Sequence, residues 1–299
     1  MERKGRPLSL LNRLECFWDE HHVWLKSQYP GISFDRLKKE LEYSSVGFRI
    51  SPENFWGMNY GLWQQSKIDD FFTGLLQGRP LQYLSGIAYF YQSEFFVNDD
   101  VLIPRNESEL LVEKSLHFLS QIKNTPQIAD IGTGSGCLIL SIARALRKPI
   151  QGMAIDISSQ ALEVAKINYH RLSYTIHPET VIEFLQTDRL NGVDKKFDLI
   201  ISNPPYIKEI ADRDLVHQQV KLHEPHLALF LPDDLYQRWF MRLFEQVLEH
   251  LTSGGYFIME GHENHLIELG QWAEELGCLE VQVQQDYTER DRFLSFKKG

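Results

Sequence analysis

Residues 130–136, Asp-Ile-Gly-Thr-Gly-Ser-Gly, are the stretch of this 299-residue chain that says most about its fold. They end an apolar strand predicted over 128–131 and precede a segment, 137–146, with the periodicity of a helix. Glycines between a strand and a helix permit a tight turn and let a ligand approach the backbone closely. The stretch is typical of a nucleoside-binding loop, although a plain strand-to-helix turn can have the same composition.

Strands and helices alternate through the rest of the chain. Further strands are predicted at 152–155, 181–186, 197–202, 256–260, 279–285 and 293–296, and further helices at 105–120, 159–171, 234–251 and 266–276. This alternation predicts a parallel sheet with crossover helices, and the last two strands predict an antiparallel edge. The expected class is therefore α/β.

The region before residue 85 has helical patterns. Segment 67–77 has apolar residues at helical spacing, namely Ile68, Phe71, Phe72, Leu75 and Leu76. Ser-Pro-Glu at 51–53 is typical of a helix start. Aromatic and β-branched residues over 86–102 surround Asn98-Asp99-Asp100, which predicts a β-hairpin with its turn at those three residues. We expect a small helical domain joined to the rest by this hairpin.

Composition excludes several classes of protein. A net charge of −10 argues against extensive binding to duplex nucleic acid, and no apolar run approaches the roughly 20 residues of a membrane-spanning helix. Three widely spaced cysteines form neither a disulfide framework nor a zinc site. His217, His223 and His226 lie in a polar segment that is expected to be a solvated loop without metal. A cytoplasmic protein without a metal is expected.

Two predicted strands end in carboxylates. Asp156 ends the strand after the glycine loop, where it can accept hydrogen bonds from ribose hydroxyls or cap the next helix. Asp188 follows the third strand at the same sheet edge and can accept the exocyclic amine of adenine. NAD-dependent enzymes share these features, so they do not distinguish hydride transfer from methyl transfer.

Asn203-Pro204-Pro205-Tyr206 follows directly on the predicted strand 197–202 and is the most specific signal in the chain. The prolines keep the backbone extended and stiff, although a plain turn is the structural alternative. The Asn203 side-chain oxygen and the Pro204 carbonyl can accept both hydrogens of an amide or aniline-type nitrogen, and Tyr206 offers a ring to a flat group. Such positioning suits in-line attack on a sulfonium methyl group. The sequence thus predicts an N-methyltransferase that uses S-adenosyl-L-methionine and releases S-adenosyl-L-homocysteine.

The glycine loop 132–136 and the Asn203–Tyr206 tetrapeptide together resemble class I methyltransferases that act on planar nitrogens. Arg-Pro-Leu-Gln-Tyr-Leu-Ser-Gly at 79–86 and Val-Leu-Ile-Pro-Arg at 101–105 narrow the resemblance. They are similar to the hallmark stretch of the peptide chain release factor N5-glutamine methyltransferases, the HemK/PrmC family. The resemblance extends from about residue 34 to the C terminus.

The resemblance implies a seven-stranded class I (Rossmann-like) methyltransferase domain over 106–299. It also implies a helical N-terminal substrate-recognition domain over 1–85 and a β-hairpin linker over 86–105. The implied reaction is methyl transfer from S-adenosyl-L-methionine to N5 of the glutamine in the Gly-Gly-Gln motif of class 1 peptide chain release factors. As partners we expect such release factors, without nucleic acid or membrane, and we expect a monomer.

Site residues carried over by matching position fall into two groups. The cofactor is expected at Gly132, Thr133, Gly134, Ser135, Gly136, Asp156, Asp188, Arg189 and Asn203. The glutamine is expected at Asn203, Pro204, Pro205 and Tyr206, with Asn203, Pro204 and Tyr206 catalytic. Arg189 stands where the family commonly has an aromatic residue, so stacking on adenine falls to a guanidinium.

Two other functions stay open at this point. A nucleic-acid N-methyltransferase acting on adenine N6 or guanine N2 shares the loop and the tetrapeptide, but it normally has a basic binding face. The second alternative is a relative that binds the release factor or the cofactor without turnover.

Overall fold

The computed structural model describes residues 9–44, 56 and 62–299. The chain divides between Ile87 and Ala88 into two compact units. The helix start predicted at 51–53 lies outside the described residues. The finer division into 1–85, 86–105 and 106–299 stays a prediction.

The first unit is helical, as predicted. Its described helices are α1 (Leu10–Gln28), α2 (Phe34–Ser44), α3 (Leu62–Leu76) and α4 (Leu81–Ser85). On the predicted apolar face of α3, Ile68, Phe71 and Leu75 are buried, whereas Leu76 is 44% exposed and was wrongly included. The Tyr29 hydroxyl donates to the Leu75 carbonyl at 2.9 Å, which ties the end of α1 to α3. Packing of leucines and aromatic rings between these helices therefore forms a separate small core.

A hairpin is present after α4, but its turn is not at the predicted place. Strands β1 (Ile87–Phe90) and β2 (Ser93–Phe96) pair with each other. The two residues between them, Tyr91 and Gln92, both adopt positive φ, 43° and 60°. Positive φ at both central residues characterises the tight hairpin turns that match strand twist. The Asn98–Asp100 cluster forms a separate turn beyond the hairpin, closed by a hydrogen bond from Val101 N to the Asn98 carbonyl.

Seven strands build the central sheet of the second unit. They are β3 (Gln127–Ile131), β4 (Gln151–Asp156), β5 (Val181–Gln186), β6 (Phe197–Ser202), β9 (Leu251–Glu260), β10 (Leu279–Gln285) and β11 (Asp291–Lys297). Their spatial order is β10-β11-β9-β6-β3-β4-β5. Neighbours from β5 to β9 are parallel, and β11 is antiparallel to both β9 and β10. The predicted parallel sheet with an antiparallel edge is confirmed.

Helices connect these strands. They are α5 (Glu109–Leu119), α6 (Cys137–Ala145), α7 (Ser159–Leu172), α8 (Gln218–His223), α9 (His226–Leu229), α10 (Tyr236–His250) and α11 (Leu266–Glu275), with a separate strand pair β7 (Ile207–Lys208) and β8 (Phe230–Leu231). The polar segment around His217 and His223, expected to be a loop, instead forms α8. The Nδ1 atom of His217 caps it by accepting a hydrogen bond from Gln219 N at 3.3 Å. Among the described helices, none is both long and apolar enough to cross a membrane.

The sheet register brings three strand ends together. Ser202, at the end of β6, is level with Ile131 of β3 on one side and Met259 of β9 on the other. Strand order reverses between β3 and β6, because the chain continues from β3 to β4 on one side and from β6 to β9 on the other. In open α/β sheets ligands bind at the carboxyl ends of strands next to such a reversal. The residues that follow these strands are therefore placed at a binding crevice.

Both faces of the sheet are packed with apolar side chains. On one face Phe244 of α10 is completely buried and packs edge-on against Phe257 and Phe296, with ring centroids 6.2 and 5.6 Å apart. We expect Phe244→Ala to lower the free energy of unfolding by about 3–5 kcal/mol, since it removes a buried ring and leaves a cavity. Guanidinium chloride unfolding followed by circular dichroism measures this. Tyr174→Ala is the control, because Tyr174 is 81% exposed, and an equal loss there would contradict the assignment of the core.

Candidate active site

A cavity of about 300 Å³ lies at the carboxyl ends of β3, β4 and β6. One wall is the glycine loop after β3, and another is the segment Asn203–Pro205 after β6. Leucine, proline and tryptophan side chains supply much of the remaining lining. A concave, mostly apolar pocket with a few polar groups is the usual form of a small-molecule site.

The glycine loop is held by backbone contacts. Thr133 N donates to the Ile155 carbonyl of β4 at 2.9 Å, and Gly136 N donates to the Thr133 carbonyl at 2.8 Å. Gly132 and Gly134 have φ of 70° and 54°, a left-handed conformation that glycine adopts without strain. A Cβ on Gly132 would lie 3.8 Å from the backbone oxygen of Asn203. A side chain at this position would therefore come into van der Waals contact with the segment that follows β6, and glycine avoids this.

Two aspartates accept hydrogen bonds from residues of this loop. Asp130 is fully buried and accepts a hydrogen bond from the Thr133 hydroxyl at 2.8 Å. Burial raises its pKa to about 7, although the hydrogen bonds from Thr133 and Ile139 oppose this shift. Asp156 accepts hydrogen bonds from Gly134 N and Ser158 N, both at 2.9 Å, and burial raises its pKa. Asp156 thus fixes both the loop and the start of α7 while its carboxylate lines the cavity.

Asp188 and Arg189 form the far end of the cavity with Trp239. The Arg189 guanidinium donates to both carboxylate oxygens of Asp188, at 3.0 and 2.6 Å. It also donates to the Trp239 carbonyl at 3.1 Å and lies 5.1 Å from the centre of the Trp239 ring. All three residues line the cavity. A flat group entering here therefore meets an indole and a guanidinium, which both present planar faces.

Asn203 and Tyr206 are tied to the end of β9. The Asn203 Nδ2 atom donates to the Ser108 hydroxyl and to Glu260 Oε2, each at 3.2 Å. The Tyr206 hydroxyl donates to Glu260 Oε1 at 2.9 Å, and the Tyr236 hydroxyl donates to the Tyr206 carbonyl at 3.2 Å. Within the described part of the chain, neither Oδ1 of Asn203 nor the Pro204 carbonyl accepts a hydrogen bond from another residue. These two oxygens therefore keep acceptor capacity, and both residues line the cavity.

Most of the sequence-predicted site residues lie around this one cavity. Those that line it are Gly132, Thr133, Gly134, Ser135, Asp156, Asp188, Arg189, Asn203, Pro204 and Pro205. Gly136 and Tyr206 are not among the described residues that line it. Gly136 begins α6, where a Cβ would lie 3.1 Å from Leu140 Cδ1 and 3.3 Å from Ala165 Cβ. Tyr206 is half-buried and packs against the core below the cavity.

Sequence reasoning missed three side chains in or beneath the cavity wall. Ser108 and Trp239 line the cavity, and Glu260 lies beneath Asn203. The signal for Glu260 was a carboxylate at the end of an apolar strand, since β9 is the parallel neighbour of β6. No local pattern distinguishes Ser108 or Trp239 from ordinary helix residues.

Comparison with known proteins identifies the family of this chain. The sequence profile of a family described as "Methyltransferase small domain" matches residues 107–228. A release factor glutamine methyltransferase from Chlorobaculum tepidum is 38% identical over 234 residues, which cover 74% of this chain and 75% of the relative. Another from Leptospira interrogans is 40% identical over 231 residues, covering 77% and 71%. The chain belongs to the release factor glutamine methyltransferase family.

Among solved structures, a ribosomal protein L11 methylase from Lactobacillus delbrueckii subsp. bulgaricus matches with a TM-score of 0.46 and 20% identity. The match covers 65% of this chain and 81% of that protein. Family membership and the observed sheet confirm the predicted class I methyltransferase fold. The guanidinium of Arg189, which was expected to stack on adenine, pairs with Asp188 and lies over the ring of Trp239. The aromatic surface at this end of the cavity thus comes from Trp239 of helix α10.

Proposed function

We propose that this protein transfers a methyl group from S-adenosyl-L-methionine to N5 of a glutamine side chain, in the Gly-Gly-Gln motif of class 1 release factors. One observation carries the proposal: Asn203 and Pro204 both line the cavity, and among the described residues neither Oδ1 of Asn203 nor the Pro204 carbonyl accepts a hydrogen bond. Membership of a family whose relatives are release factor glutamine methyltransferases favours glutamine over a nucleobase as the acceptor.

The cavity residues fit S-adenosyl-L-methionine. Gly132 and Gly134 leave no side chain between the loop and the cavity, so the cofactor can approach their backbone closely. Asp156, at the end of β4, would accept hydrogen bonds from the ribose hydroxyls. Asp188, Arg189 and Trp239 would hold the adenine ring. When bound, the cofactor supplies an electrophilic methyl group on a sulfonium.

The chain's own residues would position the attacking nitrogen. A glutamine side-chain amide donates two hydrogens from one nitrogen, and its lone pair is delocalised into the carbonyl. Asn203 Oδ1 and the Pro204 carbonyl would accept one hydrogen each and hold the nitrogen toward the cavity. These acceptors also stabilise the positive charge that develops on the nitrogen during attack. Pro204 and Pro205 keep the backbone stiff, so the two oxygens keep their separation.

Tyr206 has a different role in this proposal from the one expected. Its hydroxyl is engaged by Glu260 and its ring packs against the core, so it supports the segment instead of lying against the substrate. Recognition of the release factor by residues 1–85, a monomeric enzyme and a cytoplasmic location belong to the same proposal.

Labelled methyl transfer tests the proposal directly. The protein is incubated with methyl-labelled S-adenosyl-L-methionine and a purified class 1 release factor, either wild type or with the Gly-Gly-Gln glutamine changed to alanine. We expect label on the wild-type factor and background label on the variant. Tryptic fragments analysed by mass spectrometry should carry the methyl group on that glutamine.

A duplex DNA and a ribosomal RNA serve as control substrates. Neither should acquire label under the same conditions. Equal labelling of both release factors, or preferential labelling of nucleic acid, would overturn the proposed substrate. No labelling of any substrate, with the cofactor bound, would indicate a binding protein without turnover.

A further inference from the structure

Three side chains from two segments of the chain donate hydrogen bonds to the carboxylate of Glu260. Glu260 Oε2 accepts hydrogen bonds from the Ser108 hydroxyl and from Asn203 Nδ2, and Oε1 accepts one from the Tyr206 hydroxyl. Glu260 and Ser108 are each 2% exposed. A buried carboxylate needs hydrogen-bond donors in place of water, and these three donors supply them. Among the described residues, Glu260 forms no direct ion pair.

The sheet places Glu260 beside Asn203. Strands β6 and β9 are parallel neighbours, with Ser202 level with Met259, so the next residue of each strand is Asn203 on one side and Glu260 on the other. Ser108 approaches from the short 3₁₀ helix that precedes α5. The contact therefore follows from backbone register and does not require an unusual side-chain conformation.

An asparagine amide has a donor end and an acceptor end, and only one of them can face a given neighbour. An ionised carboxylate only accepts hydrogen bonds, so it favours Nδ2 of Asn203 at its side. Rotating the amide by half a turn would bring Oδ1 against Oε2, two electronegative oxygens with no hydrogen between them. The rotated amide would also present Nδ2 to the substrate nitrogen, which is itself a donor.

We propose that Glu260 is a positioning residue that, together with Ser108, fixes the amide of Asn203 so that Oδ1 faces the substrate nitrogen. This inference rests on the proposed function and assigns Glu260 no contact with substrate or cofactor. Glu260 affects methyl transfer only by orienting the amide of Asn203.

Ionisation of Glu260 makes this positioning depend on pH. Burial raises the pKa of Glu260, while hydrogen bonds from Ser108 and Tyr206 and the positive charge of Arg292 oppose the shift, and the charge of Glu107 adds to it. Protonated Glu260 becomes a hydrogen-bond donor that can face Oδ1 of Asn203. The active orientation therefore needs the ionised form, and kcat should fall as the pH drops through a pKa above that of an ordinary glutamic acid.

A double-mutant cycle tests the inference. Wild type, Glu260→Gln, Asn203→Ala and the double variant are assayed for kcat on the wild-type release factor. We expect Glu260→Gln to lower kcat about tenfold or more, because glutamine can face Asn203 with either end, and to change kcat less than twofold in the Asn203→Ala background. The dissociation constant of S-adenosyl-L-homocysteine, measured by calorimetry, should stay within about threefold of wild type in all four proteins.

The matched control is Asp198→Asn, the same carboxylate-to-amide change at the opposite end of β6, where Asp198 accepts a hydrogen bond from Gln127 N at 2.8 Å. It should leave kcat within twofold. The kcat of the wild-type protein should also fall at acid pH, and this fall should be smaller in Glu260→Gln. If Glu260→Gln does not fold, Ser108→Ala takes its place in the cycle, with a smaller loss that again vanishes in the Asn203→Ala background.

Additive losses in the cycle, or an unchanged kcat in the single variant, would overturn the inference. The proposed function fails separately: in that case wild-type protein does not label the release factor glutamine, whatever the variants do.

Discussion

Asn203→Ala is expected to lower kcat by ~10²-fold or more, the scale of loss seen when one positioned polar group is removed from an active site. The change removes an acceptor that would hold the amide nitrogen, and it leaves the Pro204 carbonyl alone to orient it. The glycine loop and Asp156 do not contact the Asn203 side chain by any hydrogen bond among the described residues. Affinity for S-adenosyl-L-homocysteine should therefore change by less than about threefold, as measured by calorimetry.

An exposed asparagine provides the control for this variant. Asn264 lies outside the cavity lining, and Asn264→Ala should keep kcat within twofold of wild type. Single-turnover measurement of methyl transfer to the release factor separates chemistry from product release. Near-normal kcat in Asn203→Ala would contradict the role given to this side chain.

Gly132→Val is expected to weaken binding of S-adenosyl-L-homocysteine by at least ~10²-fold. Gly132 has φ of 70°, where a side chain costs about 1–2 kcal/mol, more for a branched one. Its Cβ would lie 3.8 Å from the Asn203 backbone oxygen, so the two methyl groups beyond it would occupy the space between the loop and the end of β6. Both effects act against a ligand that needs close approach to this backbone.

Gly254→Val separates the two effects. Gly254 has φ of 72° with no atom within 4 Å of an added Cβ, and it lies in β9 away from the cavity. This control should show a similar loss of thermal stability but an unchanged dissociation constant. Equal affinity of Gly132→Val and wild type would contradict the placement of the cofactor at the glycine loop.

Much of the sheet was predictable because each strand carries its own signal. The bounds of β5, β6 and β10 match those expected, since β5 and β6 are rich in apolar residues and β10 alternates apolar and polar residues. The start of β9 was missed by five residues, because Thr252-Ser253-Gly254-Gly255 has the composition of a turn and yet belongs to the strand. Leu251 pairs with Phe197 of β6 and Tyr256 pairs with Leu199, so these four residues form a register shift inside the strand.

The predicted position of the hairpin turn was wrong for a related reason. Asn98-Asp99-Asp100 is the stronger turn signal by composition, whereas the actual turn uses Tyr91 and Gln92 in left-handed conformations that these residues rarely adopt. The pairing of β1 with β2 compensates for this local cost. Propensity alone could not place the turn.

The cavity residues that could be predicted are those that lie in short consecutive segments of the chain. The glycine loop and the Asn203–Tyr206 segment were found because each follows a recognisable strand. Glu260 and Trp239 were not, because their place at the site depends on which strands are neighbours and on how α10 packs. The pairing of Arg189 with Asp188 likewise depends on a positive φ at Arg189 that no pattern indicates.

A crystal structure of the protein with S-adenosyl-L-homocysteine and a class 1 release factor is the most direct test of how the amide is held. The account predicts that the side-chain nitrogen of the Gly-Gly-Gln glutamine lies about 3 Å from both Asn203 Oδ1 and the Pro204 carbonyl oxygen. The sulfur of the spent cofactor should face that nitrogen across the cavity. A glutamine nitrogen held by other groups, with Oδ1 of Asn203 turned toward Glu260, would contradict it.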